Sequence, residues 1–556
     1  MASGTATIKS STTKTRSGFL AGRRGRLLRE SFTAYLFIFP AMSLIFIFGL
    51  FPVAFSLYVS MYKWKIKQGA FRGLANYTKA MDDLAYVVAF LLALGAIYIA
   101  ISILVKILRT AGEESRYLWL FSIPGTIFAA GTYYFLKFVV LVLPEILAIG
   151  DKVRRVERTR ELYVQLFREA FQVEAVAQAR QYAFGLLALG LVLWLLLNYA
   201  FKHRHNSRYV GQFFQLTFSA WVGWLIGSFT YNYIQAQYAK AMESGKEITI
   251  WVQVMSIMGG LFLFYFSWKL WLYSQRQATS TPKMLTTAFA SIGLLSGAWI
   301  LIGEVPPVIA AGDKALWNGL LVTVWYSMGT VPIQLAVGLA VAYLLYQDIK
   351  AKSFFRMLYF IPYITPAVAS ASVFRIMFSN RPTGMMNNIL AFFGQEPLKW
   401  LLEPNPIFKI FGLPGPSLAL VVIILFGIWT YSGYNAVIFL AGLGSVPRSL
   451  YEAAQIDGAN RWQSFRHVTL PLLSPITYFL SLLGVIGTFK AFNHIFVLRN
   501  PAALRSVDTL SMVIWDLIKT DNRYGYGTAV AFILFGVVLI LTLINNSVQG
   551  KRVFYG

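Results

Sequence analysis

Twelve long apolar stretches run along this chain, and each is long enough to cross a lipid bilayer. A helix needs about 20 mostly apolar residues to span the hydrocarbon core. A soluble domain could not bury this much apolar surface, because 57% of the 556 residues are hydrophobic and only 13% are charged. We therefore predict an all-α, polytopic membrane protein with about 12 transmembrane helices. The predicted spans are residues 33–61, 85–107, 117–146, 181–200, 209–232, 250–273, 284–303, 316–346, 354–378, 416–443, 473–495 and 525–547.

The net charge of +26 favours contact with anionic lipid head groups at the ends of the spans. Nucleic-acid binding is not predicted, since the sequence has no soluble basic module with interleaved aromatic residues. The absence of cysteine excludes disulfides, thiol catalysis and cysteine-ligated metal. The histidines are scattered along the chain, so no metal site is predicted from His203, His205, His467 and His494.

Residues 1–31 are rich in Ser and Thr and carry several basic residues, which predicts a disordered, basic cytoplasmic tail. The apolar run that follows is too long for the hydrophobic region of a cleaved signal peptide, so it is predicted as the first span. Lys and Arg in loops usually mark the cytoplasmic side of a membrane protein. Here the two sides receive nearly equal numbers, so charge alone leaves the orientation undecided.

Residues 151–180 mix acidic and basic residues with apolar residues near helical spacing. The apolar positions are Val156, Leu162, Leu166, Ala170 and Val173. This pattern predicts an amphipathic outer helix that lies on the membrane or on a partner. The alternative is a solvated helix that only connects two spans.

A long polar segment, LYEAAQIDGANRWQSFRHVTLPLLSP at 450–475, separates two of the last spans. Ser449 and Glu452 have the spacing of a helix capping box. Gly458 permits a left-handed turn, and Pro471 and Pro475 interrupt the helical ladder before the next span. We predict two short helices that are joined at the glycine, lie along the membrane surface and dock into a groove of another protein.

The same segment resembles the EAA loop of bacterial ABC importer permeases, and its wider context is similar to the sugar-importing, maltose-permease branch. The chain departs from the family pattern at Val468, where the family prefers Ile, and at RNPAALRSV (499–507), which replaces a Gly-Gly-Pro-like turn. The resemblance implies that residues 445–475, called here the docking segment, face the cytoplasm and couple the chain to an ATPase. The coupling residues it implies are Glu452, Ala453, Ala454, Gly458, Leu470 and Pro471.

The resemblance also implies a domain organisation and a set of partners. Residues 32–84 would hold the first core span and its outer loop, residues 85–304 an inserted six-helix membrane segment, and residues 305–556 the rest of a six-helix importer core. Partners would be a second homologous permease, two ATPase subunits, an extracytoplasmic substrate-binding protein and membrane lipids. The location would be the bacterial cytoplasmic membrane, with both termini in the cytoplasm.

Polar and aromatic residues in the core spans are candidates for contact with a transported sugar. In the maltose-type permease two spans hold the sugar, and counting without gaps from Glu452 carries their contact positions onto this chain. The alternative is that these side chains pack helices or lie in an interfacial belt. Lys490, within a predicted span, would suit an anionic substrate such as a sugar phosphate. The seven predicted path residues are Gly427, Thr430, Tyr431, Tyr434, Gly484, Thr488 and Ala491.

The resemblance predicts a permease subunit of an ATP-driven importer for a sugar, oligosaccharide or related polyol. The sequence contains no Walker A pattern, so the chain is not expected to be an enzyme or to bind a cofactor, and ATP and Mg²⁺ would bind the partner ATPases. The alternatives are a stand-alone secondary transporter and a non-transporting membrane scaffold. The insert would either support the binding protein or lipid contact, or serve only as a peripheral scaffold. Its Gly223-x-x-x-Gly227 predicts a close helix contact.

Overall fold

A computed structural model describes residues 23–65, 67–114, 118–153, 159–201, 206–245, 249–276, 280–410 and 412–549. Most of the predicted tail, at residues 1–22, and both His203 and His205 lie outside the described residues. The described chain is almost entirely helical, as predicted, and its strands form two short antiparallel hairpins. The chain divides into two compact units, Met1–Val59 and Ser60–Gly556.

The described part of the first unit is a single long helix. Helix α1 (Arg23–Ile45) passes through one π-helical turn (Phe46–Leu50) into α2 (Phe51–Ser60). The prediction of a disordered tail over residues 1–31 is wrong from Arg23 onward, because these residues are helical, and for residues 1–22 it lies outside the described residues. Large apolar side chains project outward along its length, as a helix in contact with lipid requires.

A small structure precedes the insert. Strands β1 (Tyr62–Trp64) and β2 (Gln68–Phe71) form a hairpin, and α3 (Ala75–Met81) follows it. The buried Asn76 amide of α3 donates to the carbonyl oxygens of Ser60 (2.7 Å) and Tyr62 (3.1 Å), which fixes the helix against the hairpin.

Seven helices form the insert. Helix α4 packs along α8, while α5 packs along α7 and α8; α9 and α10 form a separate hairpin of helices. Gly223 of α8 allows the close approach to α4, because a Cβ there would lie 2.7 Å from Ile97 Cγ1 and 2.9 Å from the Ala93 carbonyl oxygen. The helices are α4 (Leu84–Glu114), α5 (Ser122–Lys152), α6 (Arg160–Gln172), α7 (Glu174–Ala200), α8 (Asn206–Glu243), α9 (Ile250–Ser274) and α10 (Ser280–Ala311).

The remaining helices form the core, in which α11 packs most extensively on α15 and also contacts α19. Its elements are α11 (Lys314–Tyr346), α12 (Lys352–Ile364), α13 (Ala367–Met377), α14 (Met385–Phe392), β3 (Lys409–Ile410), β4 (Leu413–Pro414), α15 (Leu418–Ser445), α16 (Arg448–Ile456), α17 (Arg461–Ser464), α18 (Leu470–Leu472), α19 (Ser474–Phe489), α20 (Asn493–Leu498), α21 (Leu510–Trp515) and α22 (Tyr524–Gln549).

The described residues contain nine helices long and apolar enough to cross a membrane, or up to 11 if each of two bent pairs is one span. The prediction of 12 is therefore one higher, and the difference is the stretch 209–232. That stretch forms the middle of α8, where Gln212 and Gln215 lower the mean hydropathy. Gln212 is buried and α8 packs against α4 and α5, but Gln215 and Trp224 are exposed, so only one side of α8 is covered by other helices.

Three predicted boundaries are wrong. The stretch 354–378 is bent by 93° between α12 and α13, where Thr365 and Pro366 interrupt the helix. The stretch 473–495 ends as a helix at Phe489. The amphipathic segment 151–180 is divided: α6 ends at Gln172, and the following residues already belong to α7, which begins at Glu174.

One polar junction joins the end of the insert to the core. The Asp313 backbone N–H donates to the Ala80 carbonyl oxygen of α3 (3.0 Å), and Asp313 Oδ1 caps α11 by accepting from the Ala315 N–H (2.8 Å). The Tyr526 hydroxyl of α22 donates to Asp313 Oδ2. The Lys79 ammonium lies 5.0 Å from the centre of the Tyr526 ring, so this tyrosine contacts a cation with its ring and the Asp313 carboxylate with its hydroxyl. The junction therefore holds α3, α11 and α22 together.

We expect Asp313→Ala to lower the thermal unfolding midpoint of the purified protein in detergent. The change removes a helix N-cap, which is usually worth about 0.5–2 kcal/mol, and leaves the Tyr526 hydroxyl without its acceptor. Asp348→Ala is the matched control, because that carboxylate is exposed and, among the described residues, pairs only with Lys352 of the next turn. Equal midpoints for the two variants would contradict the importance of the junction.

We expect Gly223→Leu to disrupt the contact between α4 and α8, because the added side chain overlaps Ile97 and the Ala93 backbone. Gly185→Leu is the control within the insert, since a Cβ at that glycine meets no atom within 4 Å. Limited proteolysis of the two variants in detergent should cleave the insert of the first faster than that of the second. Identical cleavage rates would refute the packing role of Gly223.

Candidate translocation cavity and docking segment

A cavity of about 180 Å³ lies among the core helices. Five of the seven predicted path residues line it, from α15 and from the end of α19 with the turn that follows: Tyr431, Tyr434, Gly484, Thr488 and Ala491. The other lining residues are Tyr326, Gln334, Tyr363, Asn435, Leu480, Leu483, Gly487 and His494. The structure thus brings most of the predicted residues to one place, and their contact with a substrate stays a prediction.

Gly427 and Thr430 do not line the cavity. A Cβ at Gly427 would lie 2.8 Å from the Tyr326 hydroxyl and 2.8 Å from Thr330 Cγ2, so this glycine allows α15 to approach α11. Thr430 is buried on the same helix. The geometry assigns Gly427 to helix packing, which is the alternative that the sequence left open.

Helix α11 supplies two polar lining residues that the sequence analysis missed, Tyr326 and Gln334. They lie eight positions apart, with Thr330 between them, so a polar stripe of four-residue spacing follows one face of an otherwise apolar helix. This spacing was visible in the sequence. Tyr326 and Gln334 were not predicted because the resemblance implied contact residues in only two other spans.

His494 also lines the cavity, and no sequence pattern singled it out. Its Nε2 lies 2.9 Å from the Tyr326 hydroxyl oxygen, and its ring stacks on Phe426 with 5.0 Å between the ring centres. Because His494 is the second residue of the short helix α20, this bond ties α20 to α11. No sequence pattern joins two residues that are 168 positions apart.

The cavity wall combines aromatic faces with uncharged polar groups. Tyr363 stacks on Tyr434 with 4.6 Å between the ring centres, and Thr488 Oγ1 donates to Ser327 Oγ (2.8 Å). Among the described residues that line the cavity there is no Lys, Arg, Asp or Glu. Lys490 is exposed just after the end of α19 and does not line the cavity, contrary to our expectation for an anionic substrate.

The docking segment consists of two short helices around a glycine, as predicted. Helix α16 ends at Ile456, Gly458 has a φ of +81°, and α17 begins at Arg461. The Gly458 N–H donates to the Gln455 carbonyl oxygen (3.0 Å), which closes the turn. Only glycine adopts this backbone region without strain.

The predicted capping box at Ser449 and Glu452 is wrong. Pro447 occupies the N-cap of α16, and no side chain caps that helix. A capping box does occur at the next helix: Asn460 Oδ1 accepts from the Gln463 N–H (2.8 Å), and Gln463 Oε1 accepts from the Asn460 N–H (2.8 Å). Glu452 is exposed on α16.

The docking segment presents an exposed surface. Of the predicted coupling residues, Ala454 is half-buried and the others are exposed. Two large apolar side chains project near the turn, Ile456 (86% exposed) and Trp462 (66% exposed). Trp462 stacks on Phe465, which in turn contacts Tyr343 of α11 edge to face at 5.1 Å between ring centres. The exposed tip is therefore in contact, through two aromatic rings, with a helix that lines the cavity.

An ion-pair cluster organises the loop in which the sequence departs from the family pattern. Arg499 Nη2 donates to Asp508 Oδ2 (2.8 Å) and to Asp516 Oδ2 (2.7 Å). Burial raises the pKa of Asp508, and hydrogen bonding to Asp516 raises the pKa of Arg499. Leu504 and Arg505 have positive φ angles of 47° and 65°, so this loop reverses direction without the family's glycines.

The protein family described as "Binding-protein-dependent transport system inner membrane component" matches residues 334–552. This match covers the cavity-lining part of α15 and α19 and the whole docking segment, and it begins after the end of the insert.

Similar proteins include the permease protein YcjO of an inner membrane ABC transporter from Escherichia coli, 34% identical over 42% of this chain and 75% of that protein. The arabinooligosaccharides transport system permease protein AraP of Bacillus subtilis is 29% identical over 51% of this chain and 92% of that protein. The trehalose/maltose transport system permease protein MalF of Thermococcus litoralis is 29% identical over 43% of this chain and 76% of that protein. Among solved structures, a bacterial alginate ABC transporter in complex with an alginate pentasaccharide-bound periplasmic protein covers 48% of this chain and 95% of its own, with 22% identity and a TM-score of 0.38.

Proposed function

Because this chain belongs to the family of binding-protein-dependent transport system inner membrane components, we propose that it forms the translocation path for a neutral sugar, oligosaccharide or related polyol. The observation that carries the proposal is the cavity, where five residues expected from the sugar-importing branch come together. Membership of this family argues against the two alternative functions, a stand-alone secondary transporter and a non-transporting scaffold. As a transport permease, the chain provides a path through the membrane.

The cavity wall has the chemistry that suits a sugar ring. Stacked tyrosines, Tyr363 and Tyr434, offer flat apolar faces for the C–H groups of a ring. Asn435, Gln334 and Thr488 supply amide and hydroxyl groups for hydrogen bonds. The relatives named for arabinooligosaccharides and for trehalose/maltose support the same substrate class for this chain.

The docking segment suits contact with an ATPase. Its apolar tip at Ile456 and Trp462 is exposed, and exposed apolar patches commonly mark protein interfaces. Partners would be two ATPase subunits that bind ATP and Mg²⁺, a second homologous permease that completes the path, and an extracytoplasmic substrate-binding protein. ATP-driven closure of the ATPases would move the docking segment and, through it, α15 and α19.

A cytoplasmic docking segment also sets the orientation of every span. If α8 crosses the membrane together with the 11 candidate spans, the number of crossings is even, and both termini lie in the cytoplasm. The protein would then be a multi-pass component of the bacterial cytoplasmic membrane. Its loop at 499–507 and the end of α6 would lie outside.

We expect Gly458→Pro and Glu452→Lys to abolish ATP-dependent uptake in proteoliposomes that contain the chain and its partners, with [¹⁴C]maltose, lactose and arabinotriose as probes. Proline cannot adopt a φ of +81°, so the angle between α16 and α17 changes. The lysine reverses the charge of an exposed side chain on the docking helix.

The control is Gly444→Ala, because a Cβ at that glycine meets no atom within 4 Å. Both test variants should lose co-purification with the ATPase, Glu452→Lys should keep the thermal unfolding midpoint, and the control should keep both. If the wild type takes up sugar without any ATPase, the proposed function is refuted.

The insert would be a separate membrane segment at residues 85–304 that supports the binding protein or lipid contact. The structure extends its last helix, α10, to Ala311. Deletion of residues 86–303 therefore leaves two turns of α10 in front of the Asp313 junction. We expect the deletion to reduce uptake while co-purification with the ATPase persists. Uptake equal to that of the full chain would show that the insert is only a peripheral scaffold.

A further inference from the structure

We propose that Gln334 and Asn435 form an amide pair that binds a hydroxyl group of an uncharged, polyhydroxylated ligand in the cavity. The inference rests on the proposed function and deepens it in two ways. It adds two residues that the predicted path did not contain, and it excludes acidic and phosphorylated sugars as the preferred substrate.

Both side chains are buried and have free hydrogen-bonding capacity. Gln334 is 3% exposed and Asn435 is 4% exposed, and both line the cavity. Gln334 Oε1 and Asn435 Nδ2 have no hydrogen-bond partner within the described residues. A buried polar atom without a partner is costly, and most such atoms in folded proteins are satisfied. A ligand in the cavity would satisfy both.

Two glycines place the pair where three helices meet. A Cβ at Gly338 of α11 would lie 2.7 Å from Asn435 Cβ, so α15 packs against the turn of α11 that follows Gln334. A Cβ at Gly484 of α19 would lie 3.1 Å from Gln334 Nε2. Gly484 therefore makes room for the glutamine, which gives this predicted path residue a positioning role.

The free atoms select a hydroxyl group. Gln334 Oε1 is an acceptor and Asn435 Nδ2 is a donor, and a hydroxyl both donates and accepts. A carboxylate or phosphate only accepts at neutral pH, so it would be repelled by the glutamine oxygen. No Lys or Arg among the described lining residues compensates for a ligand charge. An uncharged sugar fits these conditions, with its ring beside Tyr434.

The test uses proteoliposomes that contain the complete assembly, the binding protein and ATP. The variants are Gln334→Met and Asn435→Leu, which keep the side-chain size and remove the amide. Ser370→Ala is the matched control, because Ser370 Oγ is also buried without a hydrogen-bond partner in the described part of the chain, and Ser370 does not line the cavity. The probes are maltose, its monodeoxy analogues and digalacturonate. The readouts are sugar taken up per ATP hydrolysed, and the thermal unfolding midpoint.

We expect either amide variant to lower maltose uptake per ATP on the order of tenfold, the effect of losing about one hydrogen bond, while the control keeps it. One deoxy analogue should be transported equally poorly by the wild type and by the variants, because the hydroxyl and the amide form the same bond. A purely structural role would lower uptake of all probes equally and would overturn the proposal. Preferred uptake of digalacturonate would also overturn it. If no probe is taken up with ATP by the wild type, the proposed function itself fails.

Discussion

Backbone amides in the hydrocarbon core must find partners inside the protein, and this constraint limits where the core helices can break. Two predicted spans do break, after Ile364 and after Phe489. The freed amides turn back onto their own helices: the Thr365 N–H donates to the Ile361 carbonyl oxygen (3.0 Å), and the Ala491 N–H to that of Thr488 (3.2 Å). Irregular backbone within a span is tolerated where it borders a cavity. Tyr363 and Ala491, at the two breaks, both line this one, so the breaks and the cavity are a single feature.

The same geometry connects the cavity to the docking segment. Helices α15 and α19 line the cavity, and the docking segment connects them along the sequence. Its second half runs into α19 with a bend of 63°, while Phe465 contacts Tyr343 at the end of α11. The docking segment is therefore connected to three of the helices that carry the polar wall, α11, α15 and α19.

The sequence predicted what depends on local pattern. Apolar length located the spans, and the glycine at 458 located the turn, because only a residue without Cβ tolerates that backbone. The prediction was wrong where neighbouring residues compete for the same cap, and it missed contacts between residues that are far apart in the sequence. Ser449 had the right spacing for a cap, yet Pro447 already starts that helix, and Asn460 caps the next one instead. His494 and Tyr326 form a bond that only the packed core creates. Gln334 was predictable from the spacing of polar residues along α11.

The helices α4 to α10 and the core helices keep largely separate interiors. Buried clusters around Ile257 and Phe213 contain only residues of the insert and its entry, and the clusters around Phe426 and Phe439 contain only core residues. One cluster joins the two, where Ala80 and Ala85 meet Leu316 and Tyr526 beside the Asp313 junction. These four residues lie near the N-terminal end of α11. The cavity begins farther along that helix, at Tyr326, so the packing of the insert does not enter its wall.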